Sequence, residues 1–326
     1  MKTLSLKTAF CISTAFFFPH HLSAWGFFAH QRINQLAVFC LPPAMMVYYK
    51  PHLDFIRTHA TDPDKLRYVL PDEGYHHYID LDRYGTYPYT GLPLQWDSAV
   101  AKFGEDSLLH NGIVPWYAER TFYRLTQAFR QKDPAQILRL SAYLGHYVAD
   151  ACVPLHANAN YNGQFTGQEG IHALWESNIP ELLADSSFDY WTGKASYIDD
   201  PGKFIWQLVM QSGRAADTVL GTEKLLSRHF TPDRKYAYIN RNGVIIRAYS
   251  PEYVIAYNKA LKGMVEQRFR TAIHAVASLW YTAWVNAGQP DLRSLTDQPF
   301  PADMEEEFKT MDERWHNATP YGRIHE

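Results

Sequence analysis

The chain reads as a mostly α, single-domain multi-helix bundle, and three observations predict it. Long stretches lack Pro and place apolar residues to form one buried face. Short clusters rich in Pro, Gly and Asp separate them. A composition that is 46% hydrophobic and 15% aromatic, with a formal charge of −3 over 326 residues, suits one large globular unit or two closely packed ones. No internal repeat or domain boundary stands out, and nothing indicates disorder or a basic nucleic-acid face.

Residues 1–24 carry Lys2 and Lys7, then the apolar run Ala9 to Phe18, then a polar end at Ala24, which is the layout of a secretory signal peptide. The run is too short to span a membrane. Cleavage after Ala24 would start the chain at Trp25, bring its charge to about −5 and send it to the periplasm or outside the cell. Leu22 is larger than the residue preferred two positions before the cut, and Phe10 before Cys11 argues against a lipoprotein signal.

A first helix is expected over Phe27 to Phe39, closed by Pro42-Pro43, and another within Ala44 to Thr58, interrupted at Pro51. Asp62 to Trp96, dense in Pro, Gly, Asp and Tyr, reads as a long structured loop of the kind that carries function. Val114 to Gln131 and Ala135 to Ala151 are two further helices, with Asp133 a plausible N-cap for the second. Ile171 to Leu183 follows, bent or shortened by Pro180. Pro201 to Leu220 and Ser250 to Ala287 complete the helical set. Between them Asn242-Gly243, flanked by Tyr236, Tyr238, Val244 and Ile246, signals a small β-hairpin. Residues 25–300 form the main domain, and 301–326 a polar C-terminal extension on the surface. Cys40 and Cys152 occupy apolar helix faces, so buried free thiols are expected in preference to a disulfide.

Chemistry concentrates between residues 146 and 176. His146 and Asp150 are four apart, and so are His172 and Glu176, so each pair projects from one helix face; His156 lies on the exit turn after Pro154. One buried His or Asp is usually a satisfied core residue. Two such pairs with a third His between them favour a metal site, because burying imidazoles and carboxylates together costs several kcal/mol unless they are paired or bind a cation. Further candidates are His30 near the expected new N-terminus, Asp62 or Asp64, and His76 or His77 in the segment His76-His77-Tyr78-Ile79-Asp80. A free α-amine and carbonyl at Trp25 would add two more ligand atoms.

In this order the motifs resemble the trinuclear zinc phosphodiesterases, the superfamily of bacterial zinc-dependent phospholipases C and single-strand-specific zinc nucleases. The resemblance spans residues 25 to about 185. It implies three zinc ions in a cleft. One would be held by Asp62, His77, His146 and Asp150; a second by His156, His172 and Glu176; the third by Trp25, His30 and the other oxygen of Asp150. Asp62 and His77 are preferred to Asp64 and His76 because their fifteen-residue spacing and the following Tyr-Ile-Asp fit the family pattern better. Asp62 would orient or deprotonate the attacking water. The remaining histidines of the expected mature chain lack a matching context.

Glu176 as last ligand and the short interval from His156 to His172 resemble the phospholipases; the Trp25–His30 spacing and Tyr78 beside the ligand are more nuclease-like. Tyr78 would stack a base or form part of a choline-binding cage, unless it serves only in packing. An acidic chain disfavours long nucleic acids. The expectation is therefore an exported phospholipase C type enzyme acting on a phospholipid or other phosphodiester. A single-strand nuclease or 3′-nucleotidase is the alternative, followed by a non-catalytic zinc-binding protein.

Overall fold

A computed structural model describes residues 26–241 and 244–323, and over these the chain is mostly helical with one two-stranded antiparallel sheet. The expected signal peptide, Trp25 and the Asn242-Gly243 turn lie outside the described residues. In order come α1 (Phe27–Val38), α2 (Pro43–Tyr49), α3 (Leu53–Thr58), α4 (Asp62–Leu66), α5 (Trp96–Phe103), α6 (Glu105–Asn111), α7 (Val114–Gln131) and α8 (Pro134–Ala151). Then follow α9 (Ile171–Ala173), α10 (Ile179–Ser187), α11 (Pro201–Leu226), α12 (Pro232–Lys235), α13 (Pro251–Ala260), α14 (Met264–Asn286) and α15 (Ala302–Asn317). The hairpin strands β1 (Tyr236–Arg241) and β2 (Val244–Tyr249) pair Tyr236 with Tyr249 through Arg241 with Val244.

Helix starts follow from local chemistry. Asp133, Asp200 and Ser250 each accept a backbone N–H three residues on, at 3.0, 2.9 and 3.1 Å, and each precedes a Pro at the first helical position. Amides that the helix cannot satisfy thereby find partners, and the missing Pro N–H costs nothing there.

Some elements differ from expectation. The stretch Ser250 to Ala287 is two helices, because Lys262 and Gly263 adopt left-handed φ of 53° and 81° between α13 and α14. The expected long loop holds α4 and 3₁₀ turns at Gly74–His76 and Leu81–Tyr84. Pro180 leaves the helical path intact. The chain runs through a π turn at Leu174–Asn178 into α10, and the wider turn accommodates a Pro ring that would crowd the Glu176 carbonyl in a regular helix. Residues 301–326 include α15, polar on its exposed face but with Met304 and Met311 buried.

At the centre lies α8, buried along most of its length and packed by α7, α1, α3, α11 and α14. Its closest neighbour is set by Gly145: a Cβ there would fall 1.9 Å from Asn34 Oδ1, so only glycine admits the Asn34 amide, whose Nδ2 donates to the Ala142 carbonyl at 3.0 Å. This bond holds α1 against α8. Cys40 and Cys152 are buried free thiols. Among the described residues no helix is long and apolar enough to cross a membrane.

Candidate metal centre

Four segments converge on α8. His146 and Asp150 stand one turn apart on it, with Nε2 3.3 Å from Oδ2. Because α1 is drawn in at Gly145, His30 stacks on His146 with ring centroids 3.8 Å apart and places Nε2 3.3 Å from Asp150 Oδ1. From the loop after α4 comes His77, from the 3₁₀ turn Pro154–Ala157 His156, and from α9 and its π turn His172 and Glu176. All seven are buried.

The imidazoles are aimed by the backbone. Nδ1–H of His146 donates to the Ala60 carbonyl at 2.8 Å, that of His156 to the His77 carbonyl at 2.6 Å, and that of His172 to the Tyr161 carbonyl at 3.1 Å. A carbonyl can only accept, so each Nε2 is left with its lone pair and faces inward. These nitrogens lie 3.3 Å from Asp150, 3.3 Å from Glu176 and 3.0 Å from Glu176 respectively. His77 is turned the other way, with Nδ1 3.0 Å from Asp150 Oδ2 and Nε2 3.4 Å from Glu73 Oε1. Glu73 is itself held by the Tyr147 hydroxyl, which donates to Oε1 at 2.6 Å. Fixing one ring nitrogen and presenting the other is how proteins orient histidine ligands.

Three groups have ligand atoms within 4.8 Å of one another: His30, Asp64 and His146; His77, His146 and Asp150; His156, His172 and Glu176. Such buried sets of nitrogen and carboxylate donors can hold metal ions. Both Asp64 oxygens are buried without a hydrogen bond, an arrangement that is costly unless a cation is supplied.

Without metal the groups compensate one another. Burial works to raise the Asp150, Glu176 and Glu73 carboxyls, but neighbouring histidines outweigh it. Asp150 is held well below the usual range, and Glu176 and Glu73 fall to about 2. Burial would lower His77, yet Asp150 and Glu73 hold it up to about 9. For Asp64 burial wins over the pull of His77 and His30 and pushes the carboxyl up to about 6. Burial and the neighbouring His146 lower His30.

Of the residues expected at the site, His30, His77, His146, Asp150, His156, His172 and Glu176 come together. Asp62 does not. Its Oδ2 accepts from His59 Nδ1 at 2.6 Å and its Oδ1 lies 3.4 Å from Lys65 Nζ, whereas Asp64 Oδ1 lies 3.8 Å from both His77 and His146. The expected preference is thus reversed in space, and the reason is α4: two positions apart on a helix point to opposite sides, a test that a loop reading does not offer. His76 stacks on Tyr117 at 3.5 Å, away from the cluster. Tyr78 is buried, with its ring against the Arg323 guanidinium at 3.6 Å. Glu73 and Tyr161 were not anticipated; the four-residue spacing of Glu73 and His77 was the signal for the first, and none existed for a backbone carbonyl. Compared with protein-family models and with curated proteins, the chain finds no match in either.

Proposed function

We propose that the chain is an exported zinc-dependent phosphodiesterase of the phospholipase C type. The observation that carries this reading is the convergence of three buried histidine–carboxylate sets, with Asp150 within reach of two of them and the outer nitrogens of His146, His156 and His172 anchored to backbone carbonyls. Imidazole and carboxylate donors suit zinc, and although the first two sets share the one free nitrogen of His146, no set offers more than three protein ligands, which leaves coordination room for reaction chemistry where a structural site usually closes with four. When bound, three zinc ions would supply water activated near neutral pH and positive charge for a phosphoryl group.

The chain's own residues do the rest. His30, stacked on His146, and His77, edge-on to it, each approach one oxygen of Asp150, so that carboxylate would serve two sites at once. Asp64, whose oxygens carry no hydrogen bond, takes the role of orienting the attacking water and accepting its proton. Glu73 and Tyr147 keep the His77 ring from rotating. Close by, Tyr78, Tyr161 and Asp80 surround a guanidinium, which is the chemistry a cationic head group requires and favours a phospholipid over a nucleic acid.

The test is an assay of the protein processed to Trp25, with zinc and with chelator, on phosphatidylcholine vesicles and on single-stranded DNA. Zinc-dependent release of phosphocholine is expected. Release of nucleotides instead would make it a nuclease, and silence on both substrates with zinc bound would leave a structural role for the metal.

A further inference from the structure

The segment that follows α15 turns back across the site. Trp315 at the end of that helix packs on Phe27 with centroids 5.1 Å apart, and Asp312 pairs with Lys65 of α4 at 2.8 Å. Beyond it the Tyr321 N–H donates to the Arg67 carbonyl at 2.8 Å, and the Arg67 guanidinium donates to the Arg323 carbonyl. Gly74 makes room for this path, since a Cβ there would lie 3.2 Å from the Tyr321 carbonyl oxygen. At the last described residue of the segment, Arg323 is inserted between two rings, 3.6 Å from the Tyr78 centroid and 4.2 Å from that of Tyr161. Its two terminal nitrogens reach both oxygens of Asp80, at 3.0 and 2.6 Å.

Two aromatic faces and one carboxylate make a receptor for a planar or quaternary cation. Two of its walls adjoin residues of the metal centre. Tyr78 directly follows His77, and the Tyr161 carbonyl aims His172. A side chain placed here only to pin the fold would be packed on all sides, but cavities of about 360 and 530 Å³ flank Arg323, and His110, Tyr161 and Arg323 line both. Arg323 stands at their shared boundary, together with His110 and Tyr161.

We propose that Tyr78, Tyr161 and Asp80 form a cation subsite at the metal centre and that Arg323 fills it in cis, so that the segment after α15 acts as a built-in competitive inhibitor. Its role as an inhibitor rests on the hydrolase reading above; its occupancy of the subsite does not. A cationic ligand, or displacement of the segment, would join the two cavities into one groove.

The experiment compares the full chain with Arg323→Ala. A fluorescent peptide of residues 318–326 is titrated into each and its anisotropy followed, alongside the same peptide carrying Ala at position 323. The arginine peptide is expected to bind Arg323→Ala at least tenfold more tightly than the unmodified chain, and the alanine peptide to bind neither. Equal binding to both proteins, or none to either, would overturn the proposal. In zinc-loaded protein Arg323→Ala is expected to lower KM for a cationic phosphodiester several-fold with kcat little changed. Peptide binding with no hydrolysis by either protein would keep the subsite occupancy and remove both the inhibitory role and the hydrolase reading; hydrolysis without selective peptide binding would keep the hydrolase reading and overturn both the occupancy and the inhibitory role.

Discussion

Asp62 and Asp64 are two residues apart and chemically identical, yet α4 assigns them different work. Asp62 ties the turn at His59 to Lys65, and through Lys65 to Asp312 on α15; Asp64 faces His77 and His146 with both oxygens free of hydrogen bonds. Asp64→Asn keeps the shape but removes the charge opposite two imidazoles. It is expected to lower zinc content by about one equivalent, as measured by elemental analysis, and to reduce turnover by two orders of magnitude or more, within the range of general-base and electrostatic contributions. Asp62→Asn should retain its zinc and lose at most a few-fold in turnover. The opposite ranking would restore the assignment drawn from spacing. At this scale the sequence was readable wherever ligands sit four apart on a helix, as in His146 with Asp150 and His172 with Glu176, because that spacing alone puts them on one face. It was not readable at Asp64, where the answer depends on a five-residue helix with too few apolar residues to show a period.

Among the elements, the crossing of α1 and α8 decides whether His30 reaches the cluster. Gly145 is the one position on α8 where a methyl group would strike the Asn34 amide, and that amide is buried and bonded to Ala142, so it has no solvent-facing direction in which to yield. Gly145→Ala is expected to destabilise by about 1–3 kcal/mol, as overpacking does, and to weaken zinc retention by pushing His30 away from Asp150. The double variant Asn34→Ala with Gly145→Ala removes the clash and should recover zinc content while giving up one hydrogen bond. Thermal melts read the first effect and metal analysis the second. If the double variant held no more zinc than the single one, the close crossing would not be what positions His30. The helices themselves were largely legible, since Pro42-Pro43, Asp133-Pro134, Asp200-Pro201 and Ser250-Pro251 mark their limits in the residues. The break at Lys262-Gly263 was less so, because a glycine inside an apolar period reads as tolerated until the left-handed φ is seen.

For the molecule as a whole, the cluster links five segments between residues 30 and 176 across the centre of the bundle, so its charge state bears on the stability of the entire fold. In metal-free protein His77 is raised from the ordinary 6.5 to about 9. Its contribution is fully present below about pH 6.5 and lost as pH rises through 9, because the unfolded chain gives up that proton first. Glu73, depressed from 4.5 to about 2, contributes above about pH 4.5 and loses its contribution as pH falls through 2. The apo protein should therefore melt at a lower temperature at pH 9.5 than at pH 6. Zinc, if it is the ion held, is expected to reverse the order, since a metal on His77 competes with the proton and binds better as pH rises. Two readouts follow at pH 7. Calorimetric titration of zinc in buffers of different ionisation enthalpy should show net proton release, and at a hundredfold excess over Kd each ion should add about 2.7 kcal/mol of stability. Chelation should then lower the melting temperature by several degrees per ion. Proton-neutral binding with an unchanged melt would mean that the buried histidines and carboxylates serve as their own counter-ions, and that ion pairing alone accounts for their burial.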